Sequence, residues 1–175
     1  MKSQLVVSVL STDRVGIVSD LCQAAYETGC SIETSRMTTL GAEFAVILLL
    51  SGKWDALAKF ENHIISLEQQ GLVIQARRTQ RPPATANSLR YDVSAISMDQ
   101  PGLIYSLSSF FAERGILIED LISNDYTANY SGTPMLCLEM TVSVDYQIKI
   151  AELREQFMLL CEELNIDAVL EPAKI

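Results

Sequence analysis

One segment is written twice in this chain. Asp13-Arg14-Val15-Gly16-Ile17-Val18 is followed by Leu21, Gly29, Ile32 and Glu33. Asp99-Gln100-Pro101-Gly102-Leu103-Ile104 is followed by Leu107, Gly115, Ile118 and Glu119, each 86 residues after its counterpart. An ungapped match across a strand, a loop and a helix marks a duplicated domain. Each copy is about half of the 175 residues. A single hydrophobic core of that size is marginal alone, so association with a twin or another chain is expected.

Each half reads in the same order. In the first, strands are expected at 4–11, 30–39, 43–51 and 72–78. A helix over 14–28 carries Ile17, Leu21, Ala24 and Ala25 on one face, and Gly29 stops it. A second helix carries Leu57, Phe60, Ile64 and Leu67 and ends near Gly71. In the second half, strands are expected at 89–98, 116–125, 135–144 and 166–170. The helices there carry Leu103, Leu107, Phe110 and Phe111, then Ile150, Leu153, Phe157, Leu160 and Leu164. A longer hairpin, Thr127 to Thr133, adds about six residues by counting from the register of the first half. The order β-α-β-β-α-β predicts an α+β fold, the ferredoxin-like plan: an antiparallel four-stranded sheet with both helices on one face. The expected domains are 1–78 and 89–175, joined by a Pro-rich linker at 79–88.

That plan leaves one sheet face bare. In the second half, Leu136, Leu138, Met140 and Val142 alternate with Cys137, Glu139, Thr141 and Ser143, the pattern of a sheet with one wet side. In the first half the outward positions are Val6, Ala45, Ile47 and Leu49. Such a patch is expected to be covered by another domain or another chain.

The duplicated loop is the candidate site. A helix N-terminus offers unpaired N–H groups and a positive dipole end, which suits a carboxylate. Gly16 and Gly102 lack a Cβ and admit close approach. Pro101 fits a first helical turn. Asp13 and Asp99 either cap the helix or hold an ammonium group. Asn124 and Asp125, expected at the end of a strand, either complete a polar site or turn the chain.

Other chemistry is thinly represented. His63 is the single histidine and has no acidic or cysteine cluster at metal spacing. Cys22, Cys30, Cys137 and Cys161 show no paired spacing and are expected to be buried and reduced. No nucleophile–base pair is apparent, so no catalysis and no cofactor are expected. Arg77, Arg78, Arg81 and Arg90 surround the linker, either as solvated charges or as a strip for an acidic partner. A net charge of −9 opposes direct binding to DNA or anionic lipid. No apolar run has membrane-spanning length, and the first residues make a poor signal peptide, so a cytoplasmic location is expected.

A β-α-β-β-α-β unit with D-x-x-G-[IL]-[IV] after its first strand resembles the ACT domain, in both halves. A stand-alone tandem pair of this length is similar to the bacterial glycine cleavage system transcriptional repressor family. The resemblance implies a non-enzymatic regulator that responds to an amino acid, glycine being the first guess. It also implies repression through contact with a DNA-binding activator rather than DNA, and assembly as a homo-oligomer. The positions carried over for ligand are Asp13, Arg14, Val15, Gly16 and Ile17, with Asp99, Gln100, Pro101, Gly102 and Leu103. An alternative is a free-standing regulatory subunit of an amino-acid biosynthetic enzyme.

Overall fold

The computed structural model describes residues 3–80 and 87–174. The chain divides into two compact units, 1–83 and 84–175. In the first, β1 (Ser3–Thr12), α1 (Ile17–Glu27), β2 (Ser31–Leu40), β3 (Glu43–Gly52), α2 (Trp54–Glu68) and β4 (Val73–Thr79) follow in order. The second repeats it with β5 (Ser88–Met98), α3 (Leu103–Ala112), β6 (Leu117–Thr127), β7 (Pro134–Asp145), α4 (Ile150–Leu164) and β8 (Asp167–Pro172). The sheets are antiparallel, ordered β2-β3-β1-β4 and β6-β7-β5-β8. This is the ferredoxin-like plan twice over.

Alternation along the central strands builds each core. Leu5, Val7 and Val9 on β1 and Val46, Leu48 and Leu50 on β3 are buried against Ile17, Leu21, Leu57 and Phe60. In the second unit Val93 and Ala95 on β5 and Leu138, Met140 and Val142 on β7 play that part. Phe110, Phe111 and Phe157 meet there, with ring centroids 5.1 to 5.6 Å apart.

The repeated Ile-Glu pair has a structural meaning. The ladder slips between Ile32 and Thr34, and again between Ile118 and Asp120. Glu33 and Glu119 are thus the extra residues of matching β-bulges. Gln4 donates to Glu33 at 2.7 Å, and Arg90 pairs with Glu119 at 2.8 Å.

Several expectations need correction. The first helix begins at Ile17 rather than 14, because the D-x-x-G residues form a loop. Strands reach into the expected linker from both sides, Thr79 pairing with Gln4 and Ser88 with Asp145. The remaining linker residues 81–86, Arg81 included, lie outside the described residues. The other linker arginines separate. Arg78 forks onto Glu61 at 2.7 and 2.8 Å and lies over Trp54, Arg90 joins Glu119, and Arg77 sits beside Val6 on the open sheet face. The cysteines are not uniformly buried: Cys161 is, Cys30 and Cys137 are partly covered, and Cys22 is exposed on the outer face of α1.

Candidate functional site

The D-x-x-G loops follow β1 and β5 directly. In each, the aspartate N–H is tied to the residue before or at the start of the neighbouring strand: Asp13 donates to the Ala42 carbonyl at 3.0 Å, and Asp99 to that of Pro134 at 2.9 Å. The chain then turns outward and enters the helix through glycine. Gly16 (φ 102°) caps α1 and Gly102 (φ 94°) caps α3, both in the left-handed region. Each glycine carbonyl accepts the first helical bond, from Asp20 and Ser106, at 2.9 Å.

This geometry settles what the glycines do and one thing the aspartates do not. Asp13 and Asp99 lie three residues before the N-cap, and neither helix has a side-chain cap. Capping by these aspartates is therefore excluded. The glycines are required by backbone conformation, since L-residues resist that φ. They do not admit another part of the chain. A Cβ built on Gly102 meets nothing within 4 Å, and one on Gly16 meets only the Arg14 guanidinium at 3.6 Å. Pro101 stands before the cap rather than in the first helical turn, where its fixed φ stiffens the loop.

Neither turn is filled by its own surroundings. Val15 is fully exposed, and Asp13, Arg14, Asp99, Gln100, Pro101 and Gly102 are exposed as well. Ile17 and Leu103 point inward and anchor their helices in the cores. The N–H groups of the first helical turn, residues 17–19 and 103–105, precede the helical ladder and face outward at these uncapped ends.

The two copies differ chemically. In the first loop Arg14 folds back, pairing with Asp20 at 2.9 Å and donating to the Val15 carbonyl at 3.4 Å. Thr39 on β2 donates to Asp13 at 3.4 Å. A carboxylate, a guanidinium and a hydroxyl thus stand around the first helix end. In the second loop Gln100 reaches the Leu164 carbonyl at 3.4 Å, and Ser106 replaces Asp20. That loop carries no cation.

Asn124 and Asp125 are not at a strand end, because β6 continues to Thr127. Asn124 pairs in register with Cys137 on β7, and β7 stands between it and β5, the strand leading into the second loop. Its neighbour Asp125 holds in the second unit the place of Thr39, the β2 residue that reaches Asp13 in the first. A cavity of about 240 Å³ lies elsewhere, on the open face of the second sheet, lined by Asp92, Ser94, Asp120, Ile122, Glu139 and Thr141. Sequence reading missed this acidic face. Alternation put Glu139 on the wet face of its strand, but only strand register brings Asp92 and Asp120 beside it. Among the described residues no group of side chains has metal-ligand geometry. His63 is half-buried on α2.

An ACT domain family model matches residues 3–76. The glycine cleavage system transcriptional repressor of Escherichia coli K12 is 32% identical over 164 residues, covering 92% of this chain and 85% of that protein. A crystal structure of a protein of unknown function from Galdieria sulphuraria superposes with a TM-score of 0.83 at 25% identity, over 99% of this chain and 100% of that one. A second, assigned to a glycine cleavage system transcriptional repressor, superposes with a TM-score of 0.73 at 27% identity, over 100% and 99%. With the two sequences aligned over most of both lengths, this chain belongs to the glycine cleavage system transcriptional repressor family, and its two βαββαβ units are tandem ACT domains.

Proposed function

We propose that the chain is a non-enzymatic, amino-acid-responsive repressor of glycine cleavage genes, acting on a DNA-binding activator rather than on DNA. The observation that carries this reading is the 32% identity to a repressor of that name over nearly the whole chain. The charge agrees with it: at −9, the surface repels phosphate, so an effect on transcription runs through another protein. No helix among the described residues is long and apolar enough to cross a membrane.

The ligand is an amino acid, glycine first among them. Its carboxylate meets the N–H groups at an uncapped helix end, and its ammonium meets the aspartate of the same loop. The first loop is the better suited. There Asp13 and Thr39 are 3.4 Å apart, and Arg14 can exchange Asp20 for the ligand carboxylate. The second loop offers Asp99, the Gln100 amide and backbone, without a cation. Binding shifts output only if one conformation or assembly holds the ligand better than another.

Calorimetric titration with glycine tests the sensing step, repeated with Asp13→Asn and Asp99→Asn. Loss of heat in Asp13→Asn with the fold intact supports the first loop. Absence of binding by the wild-type chain to glycine, and then to serine and alanine, removes the sensor. A gel-shift assay tests the output. The chain alone leaves operator DNA unshifted, and it alters the mobility of the activator–DNA complex.

A further inference from the structure

The two D-x-x-G loops sit in equivalent frames, so each residue around one has a counterpart around the other. Thr39 on β2 pairs with Phe44 of β3, and Asp125 on β6 with Leu136 of β7. Phe44 and Leu136 pair in turn with Ser11 and Ser97, two residues before Asp13 and Asp99. Thr39 and Asp125 therefore hold one place in the fold, and both are exposed. In the first unit the Thr39 hydroxyl donates to the Asp13 carboxylate at 3.4 Å. In the second unit that place holds another carboxylate, which accepts hydrogen bonds and donates none.

The cation is gone as well. Gln100 stands where Arg14 does, and Ser106 where its partner Asp20 does. Gln100 turns its amide to the Leu164 carbonyl at the end of α4, at 3.4 Å. Glu162 and Glu163, in the last turn of that helix, add negative charge on the same side. The longer hairpin compensates for none of this. It is tied to the loop by the bond from Asp99 to the Pro134 carbonyl, and residues 127–133 carry no charge. The helix dipole acts alike at both ends. Beyond it, the first loop sets a guanidinium beside Asp13 and Asp20, whereas the second has Asp99 and Asp125 with no cation.

We propose that the second loop takes no amino-acid carboxylate, that the chain senses through its first loop alone, and that Gln100 and Asp125 are the residues that decide this. This rests on the reading of the loops as amino-acid sites and adds to it a stoichiometry of one ligand per chain. The ammonium group does not discriminate, because each loop has an aspartate for it. The carboxylate does. In the first loop it meets a guanidinium, and in the second it meets like charge. One unit charge at an exposed site changes affinity about tenfold, so glycine binds the second loop at least about tenfold more weakly.

Magnetic resonance of the glycine amides tests each loop separately. The chain has 8 glycines. With isotope-labelled glycine incorporated, the Gly16 and Gly102 peaks are assigned by their loss in Gly16→Ala and Gly102→Ala. Free unlabelled glycine is then titrated in. The Gly16 peak moves and saturates. The Gly102 peak stays in place over that range. Gln100→Arg with Asp125→Thr brings the Gly102 peak into the same range, since the new arginine has no Asp20 counterpart to hold it. The reciprocal Arg14→Gln with Thr39→Asp takes the Gly16 peak out of it. Thermal melts by circular dichroism confirm that both double variants are folded. Saturation of both peaks over one range in the wild-type chain overturns the inference and leaves the sensor standing. So does a Gly102 peak that stays still in the folded first variant, or a Gly16 peak that still responds in the second. A wild-type chain in which neither peak responds to glycine, serine or alanine removes the sensor and this inference with it.

Discussion

Gly16 and Gly102 are the residues on which the loops turn. Their φ values of 102° and 94° lie where a side chain is resisted even with room to spare, and at Gly102 a Cβ meets nothing within 4 Å. Gly102→Ala therefore costs about 1–2 kcal/mol through the backbone alone. Gly16→Ala costs a similar amount. Urea denaturation reads both, and this cost must be subtracted before any loss of ligand response is attributed to the loop. The cysteines make a second prediction at this scale. Burial pushes the Cys161 thiol up to about 11, whereas Cys22 is exposed. At pH 8 an alkylating reagent labels Cys22 in the native chain, and Cys161 reacts only on unfolding. Mass spectrometry of the labelled peptides checks this. The duplicated D-x-x-G string made the loops legible in sequence. The role of the aspartate was not, because the cap position depends on where the backbone turns, three residues further on.

The elements themselves were mostly written in the pattern. Alternation on β3 and β7 identified the inward residues, and 3.6-residue spacing identified the buried faces of all four helices. What escaped were contacts between elements distant in sequence. Arg78 on β4 grips Glu61 on α2 with two bonds, and that guanidinium holds the Glu61 carboxyl below its ordinary value of 4.5. A carboxylate lowered on folding stabilises above its unfolded pKa, and the benefit fades as pH falls through the folded value. The Arg78–Glu61 contribution is therefore complete at neutral pH and is lost below about pH 4.5. Glu61→Gln removes this part of the acid sensitivity, seen as a shallower fall in thermal midpoint with pH. Both side chains are about one-third exposed, so solvent keeps the loss at pH 7 to about 0.2–1 kcal/mol.

At the scale of the molecule, the buried residues form two separate clusters, one per unit. Phe157 is fully buried against Phe110 and Phe111. Phe157→Ala leaves a cavity there and destabilises the second unit by about 3–5 kcal/mol. Native-state hydrogen exchange locates the damage: amides of β5 and β7 exchange faster, and those of β1 and β3 are little changed. Charge also acts at this scale. The −9 total is legible from composition, but the distribution is not. Asp92, Asp120, Glu139, Asp167 and Glu171 come from four different strands, and hydrogen-bond register alone puts them on one face.

The sequence by itself determined the duplication, the βαββαβ order, the two cores and the glycine loop, because each is encoded in local spacing that a chain carries before it folds. The tertiary structure alone decided which groups share a surface. The Thr39–Asp13 contact beside the first helix end and the opposed chemistry of the two open faces depend on strands being laid side by side, whereas the left-handed glycine caps and the Arg14–Asp20 pair depend on how the chain turns into each helix. Pairing register is a long-range property, and no window of consecutive residues contains it.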